Sequence, residues 1–197
     1  MATIQEFNNK IDKLINELPK WLEETTKDIA VQDLSVLISE RVINTGKDEK
    51  GGKFSGYSTK PTLAGKSTFT TSGAFNKIAG SKSKRKSLEW RTVKGNRLFI
   101  LEGGYKEVRN LEGREIGHKS FERTGEMWQN FGIVRTKGDK TSFKVFLGGR
   151  NEDSQEKINH NTEREGINII GATKEEQKKV EDIYKKRLIK YINSKLS

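Results

Sequence analysis

Residues 131–147 read FGIVRTKGDKTSFKVFL. Phe131, Ile133 and Arg135 alternate, Lys137-Gly138-Asp139-Lys140 carries turn chemistry, and Phe143, Val145 and Leu147 alternate again. Two period-two runs about a Gly/Asp turn predict a β-hairpin. The pattern has a counterpart upstream, where Leu88–Val93 alternates, Lys94-Gly95-Asn96 turns and Arg97–Glu102 returns. Strands in the middle of a chain whose two ends read as helix define an α+β fold.

At the N-terminal end Ile4, Phe7, Ile11, Leu14, Ile15 and Leu18 recur at three- and four-residue steps, with Gln5, Glu6, Lys10 and Lys13 facing away. That period predicts an amphipathic helix. Pro19 is expected to end or kink it, because proline lacks the N–H donor and its ring clashes with the preceding turn. A second periodic run, Leu22, Ile29, Leu34, Leu37, Ile38 and Val42, stops at Asn44-Thr45-Gly46, where Gly46 suits a left-handed C-cap. At the other end Thr173-Lys-Glu-Glu176 matches a capping box, and Val180, Ile183, Tyr184, Leu188, Tyr191 and Ile192 form an apolar stripe.

Residues 46–87 have another character. Seven glycines from Gly46 to Gly80 punctuate a stretch rich in Ser, Thr and Lys without a sustained period. That composition predicts a long basic arm or insertion, with Phe54, Tyr57, Phe69 and Phe75 as docking points. Tyr105–Leu111 and Ser120–Asn130 read as short helices or turns. The expected organisation is one α+β domain over 1–197. It comprises two N-terminal helices, the Gly/Ser/Lys-rich arm, antiparallel strands forming a small sheet, and a C-terminal amphipathic helix.

The 197 residues include 38 Lys+Arg and 27 Asp+Glu, for a net charge of +11, and 31% are hydrophobic. Residues 51–100 hold 11 basic side chains and one acidic one, Glu89, so nearly all of the excess sits there. It is densest at Lys82, Lys84, Arg85 and Lys86, with Arg91, Lys94 and Arg97 following. Charge this concentrated fits a phosphate backbone or an acidic protein surface as partner, or equally a solvated loop that its own repulsion keeps extended. With no cysteine, disulfides, thiolate metal sites and a cysteine nucleophile are excluded. Apolar runs as short as Leu98–Leu101 exclude a spanning helix, and the opening MATIQEFNNK does not read as a secretory signal.

Catalytic patterns are not found. The only histidines, His118 and His160, have no metal-ligand spacing, and His160 is expected in a polar loop. No Gly-Xaa-Ser-Xaa-Gly elbow occurs, and Gly65-Lys66-Ser67 lacks the upstream glycine of a P-loop. An enzyme, a metal and a cofactor are therefore not expected. A nuclease working through scattered carboxylates ranks last among the readings.

Three patches occur in order. The first is Glu102-Gly103-Gly104-Tyr105-Lys-Glu-Val-Arg109-Asn-Leu-Glu-Gly113-Arg114. The second is Arg123-Thr124-Gly125-Glu-Met127-Trp128, leading into Phe131. The third is Ile158-Asn-His-Asn-Thr-Glu-Arg-Glu-Gly166-Ile-Asn-Ile-Ile-Gly171-Ala-Thr, leading into the last helix. Together they resemble the phage tail-completion, neck and minor tail proteins of the virion morphogenesis type. The matching positions are Gly104, Tyr105, Arg109, Gly113, Arg114, Thr124, Gly125, Met127, Gly166 and Gly171, and the resemblance covers about two thirds of the chain. Gly166–Gly171 stands where that family usually has a Pro-Ala-Arg-Pro-like stretch.

The resemblance implies a structural virion protein, assembling as a homo-oligomeric ring at the head–tail junction or tail. Its partners would be copies of itself and neighbouring connector or tail proteins, with packaged DNA passing through, no membrane, and assembly in the host cytoplasm. Thr124-Gly125 would then form a tight strand-entry turn. The alternative is a basic nucleic-acid-binding protein that contacts phosphates through residues 77–97, with Trp90 free to stack on a base.

Overall fold

The structure, a computed structural model, describes residues 3–122, 125–139 and 142–196. In chain order the elements are α1 (Ile4–Ile29), a π-helical turn (Ala30–Leu34), α2 (Ser35–Thr45), β1 (Thr62–Ala64), a 3-10 turn (Lys66–Thr68), α3 (Ser72–Ala79), α4 (Lys82–Lys86), β2 (Trp90–Val93), β3 (Asn96–Leu101), α5 (Gly104–Leu111), α6 (Glu126–Gln129), β4 (Phe131–Gly138), β5 (Phe143–Gly149), α7 (Glu152–Glu165) and α8 (Lys174–Leu196). The fold is α+β, with two small antiparallel sheets, β1-β3-β2 and β4-β5. The chain divides into two compact units. One is Met1–Gly52 with Phe121–Ser197; the other, Lys53–Ser120, lies between those segments in sequence.

The first unit begins on a helix opened by a Thr3/Glu6 capping box. Pro19 neither ends nor separates it: α1 runs through Pro19 and passes via the π turn into α2. The turns around the proline are held from outside, because Trp21 stacks on Tyr191 at 4.8 Å and tilts against Tyr184 at 5.9 Å. Tertiary packing of this kind decides helix stability more than local propensity does. The two expected helices are thus one continuous helical segment with a π turn. There the Ser35 N–H donates to the Ala30 carbonyl, a five-residue step between two buried positions, which re-phases the buried stripe. Beyond it Ile38 and Val42 are buried, and Gly46 ends α2 at φ +61.

α8 opens on the expected capping box: the Glu176 N–H donates to Thr173 Oγ1 and the Thr173 N–H to Glu176 Oε2. It packs antiparallel to α1, with Asp33 bridged to Arg187 near one end and Glu17 to Lys195 near the other. The Lys195 ammonium, hydrogen-bonded at 2.5 Å, holds the Glu17 carboxyl below the usual carboxylate range, and Glu17 in turn holds Lys195 above the usual lysine range. A lowered carboxyl contributes stability above its unfolded pKa and loses it as pH falls through the folded value. A raised lysine contributes below its unfolded pKa and loses it as pH rises through the folded value. Docking of the α8 end is therefore expected to weaken below about pH 4 and above about pH 10. Amide NMR shifts of Lys190–Leu196 would follow it. Glu17→Gln should flatten the acid limb, and an unchanged acid limb would refute the assignment.

The β4–β5 hairpin forms as expected, with one irregularity: the register slips between Ile133 and Arg135. After it comes a helix where a loop was expected. Residues 152–165 form α7, so His160 lies on a helix, exposed. Asn151 caps it through Ser154 N at 2.8 Å. Ile158 is the only large apolar side chain it buries, too few to display a helical period.

Most of the stretch expected as an arm or insertion belongs to the second unit. Part of 46–87 is folded as β1, the 3-10 turn, α3 and α4; of its aromatics Phe54 and Phe69 are buried and Tyr57 and Phe75 half-buried. Ala64, Phe69, Ala74, Ala79, Phe99, Leu101 and Val108 form one buried cluster, with Phe75 and Trp90 packed against it. Three of those seven are alanines, whose burial leaves little trace in a hydrophobicity pattern. β2 and β3 form the expected hairpin, and Lys94 (φ +50) followed by Gly95 (φ +77) gives the two positive dihedrals of a type I′ turn. This unit carries 15 Lys/Arg against five Asp/Glu, so the basic character of the chain is a property of a folded module.

Candidate functional site

The seven basic residues expected to meet a partner all lie in the second unit, on α4 and on β2–β3. Trp90 joins the two, donating its indole N–H to the Arg85 carbonyl at 2.7 Å. Four of the seven have an intramolecular task. Lys84 Nζ donates to the Lys77 carbonyl at 2.9 Å and Arg85 Nε to the Ala79 carbonyl at 2.8 Å, satisfying the C-terminal end of α3. Arg91 pairs with Glu89 at 2.8 Å. Arg97 lays its guanidinium over the Trp90 ring at 4.8 Å. Lys82, Lys86 and Lys94 are exposed and, among the described residues, have no hydrogen-bond or ion-pair partner.

Trp90 is not placed for base stacking. Arg97 covers its ring, Phe99 meets it edge-on at 5.2 Å, and its N–H is used. That expectation is corrected, because the register puts Trp90 opposite Phe99 on the core face of the sheet. What the second unit offers outward is cationic charge without an aromatic platform.

The residues of the first motif patch are packed and hydrogen-bonded within the second unit. Gly104 begins α5 at φ +61, so close to the 58–60 backbone that a Cβ would overlap the Lys60 carbonyl. Tyr105 meets Tyr57 edge-on at 5.7 Å. Arg109, 2% exposed, donates Nε to the Glu115 carbonyl at 2.9 Å and Nη2 to Ser120 Oγ at 3.3 Å, and lies over the Tyr57 ring at 4.3 Å. The Ser120 N–H donates to the Tyr57 hydroxyl at 3.1 Å, closing the loop of contacts. Glu115 is held below the usual carboxylate range chiefly by the Gly117 N–H. Gly113 follows α5 at φ +73, and Arg114 lies 3.0 Å from Glu112, whose other oxygen receives the Thr70 N–H and hydroxyl.

The other two patches are in the first unit. Thr124 lies outside the described residues. Gly125, at φ +82, opens the one-turn helix α6 rather than a strand, and Met127 on that turn is buried. Lys157 on α7 bridges to Glu126 at 3.1 Å and Asp153 at 2.5 Å, which hold its ammonium above the usual lysine range. Gly166 closes α7 in the left-handed region. The Gly171 carbonyl accepts Arg41 Nη2 at 2.6 Å. Arg41 also donates Nη1 to the Lys47 carbonyl at 2.5 Å and Nε to Glu176 at 2.8 Å, a cluster with no signature in the sequence.

A second feature went unread because burial is not visible in periodicity. Part of the apolar stripe of α1 is left uncovered. Lys10 Nζ reaches the Leu196 carbonyl near the end of α8, while Ile4, Phe7 and Ile15 remain 83%, 50% and 60% exposed. Among the described residues no group of three His, Asp or Glu side chains could hold a metal, and no helix is long and apolar enough to cross a membrane. No known family matches the chain, nor does any curated protein or any solved structure.

Proposed function

We propose that this chain is a structural protein of a phage virion, of the neck or tail-completion type, which associates through unlike surfaces into a closed ring. The reading starts from the order of the three motif patches. The observation that carries it is the exposed apolar set Ile4, Phe7 and Ile15 on α1, a helix that packs elsewhere on α8 and β5. Burying three such side chains against another copy would contribute about 3–5 kcal/mol per contact. Heterologous contacts that close by rotation produce rings.

Native mass spectrometry and sedimentation of the purified chain test this. A discrete closed oligomer is expected at micromolar concentration. Ile4→Ser and Phe7→Ser should each weaken association about tenfold with little change in melting, because both side chains already lie in water in the single chain. A chain that stays monomeric at high concentration, and is missing from purified particles, would sink the proposal.

A further inference from the structure

The outer face of the β4–β5 hairpin is a second cationic surface, and it belongs to the first unit. Strict alternation along 131–135 would put Arg135 on the same face as Ile133. The bulge between them reverses this. Ile133 pairs with Leu147, whereas Arg135 pairs with Phe146 and Lys137 with Lys144. Directly opposed residues share a face, so Arg135, Lys137, Lys144 and Phe146 stand together. The other face carries Ile133, Val145, Leu147 and Phe143, half-buried, with Lys27 of α1 5.6 Å from the Phe143 ring.

Three properties of the outer face point the same way. Lys137 and Lys144 are like charges directly across the ladder, an arrangement that costs folding stability. Neither ammonium group has a hydrogen-bond or ion-pair partner among the described residues. Arg135 sits 5.7 Å from the ring of Phe146, which is 44% exposed, beside Val134 at 46%.

We propose that this ribbon face binds the phosphate backbone of a nucleic acid duplex, with Arg135, Lys137 and Lys144 as the phosphate contacts. The cations are spread along an open two-stranded ribbon rather than converging on a pocket, which fits a periodic polyanion better than a single small anion. Two of the three are lysines, a residue type that protein–protein interfaces disfavour and phosphodiester contacts use freely. A two-stranded ribbon also has the width that a major groove admits. The inference does not require the chain to form a ring.

The test is fluorescence anisotropy of the full-length chain with a labelled mixed-sequence duplex of about 20 base pairs, titrated across about 50–200 mM salt. The triple variant Arg135→Ser, Lys137→Ser, Lys144→Ser is expected to lower the slope of log K against log salt by about 2 to 3, since each lost phosphate contact removes about 0.9. The milder double variant Lys137→Gln, Lys144→Gln should lower it by about 2 and guards against a folding defect, with circular dichroism as the check on both. A parallel variant, Lys82→Ser, Lys86→Ser, Lys94→Ser, probes the other unit. Absence of duplex binding by the unaltered chain at about 50 mM salt overturns the proposal. So does a slope that only the second-unit variant changes. Native mass of the same samples separates this result from the ring: ribbon variants that keep DNA binding but lose the oligomer would show that the face meets another copy instead.

Discussion

Arg41→Met is expected to destabilise the first unit by about 3–5 kcal/mol, the cost typical of removing one partner from a buried ion pair. The Arg41 and Glu176 side chains are 12% and 7% exposed, so neither is rescued by water after its partner is lost. Arg41 joins three places in the chain: Glu176 in the first turn of α8, the Gly171 carbonyl, and the Lys47 carbonyl just beyond α2. Methionine fills a comparable volume but leaves Glu176 charged, and strands two carbonyls that had received N–H groups. Lysine in place of Arg41 should recover little of the loss, because one ammonium cannot reproduce three divergent donors.

The readout must report on this unit alone, since a chain of two units need not melt in one transition. Hydrogen exchange of peptides from 174–196 is expected to accelerate strongly, while peptides from 53–120 keep their protection. Adding Glu176→Gln to Arg41→Met should restore part of the loss by removing the stranded charge. A double variant as unstable as the sum of the two single ones would mean that the charge pair is not the source.

The Arg41 cluster is built by residues far apart in the chain, whereas the helix starts and hairpins are built by near neighbours. The C-terminal helix was legible because its start is written in local chemistry, Thr173 and Glu176 three residues apart. Both hairpins were legible because alternation and turn residues lie within a few positions of each other. Pro19 does not end the helix because its cost is local, whereas Trp21, Tyr184 and Tyr191, which hold the helix through it, meet only in space. The folding of part of 46–87 was hidden for a related reason: its core is made of alanines and isolated aromatics, which give no period. For the candidate surfaces, basic residues could be counted but not sorted. Lys84 and Arg85 look the same as Lys82 and Lys86 in sequence, yet the first two end α3 and the last two face solvent. The bulge at Val134 likewise moves Arg135 to the other face, and no residue type announces it.

Gly104→Ala is expected to destabilise the second unit by about 2–5 kcal/mol, combining two separable terms. The first is conformational: Gly104 sits at φ +61, where an L side chain costs about 1–2 kcal/mol. The second is a clash with backbone, since the added Cβ would overlap the Lys60 carbonyl oxygen and stand 2.9 Å from the Ser58 carbonyl oxygen. Neither can swing aside as a side chain would. Moving residues 58–60 breaks the 3.0 Å bond from the Lys106 N–H to the Ser58 carbonyl, and disturbs Tyr57, on which Tyr105 and Arg109 pack. A unit of this size has a total stability of roughly 3–10 kcal/mol, so the loss would leave it marginal. Gly113→Ala isolates the first term, because Gly113 has φ +73 with no atom within 4 Å of the added Cβ. It should cost only about 1–2 kcal/mol. Exchange protection of peptides from 53–120 would rank the pair, with 174–196 unaffected in both. Equal losses from the two substitutions would show that the close approach of α5 to the 58–60 backbone does not hold this unit together.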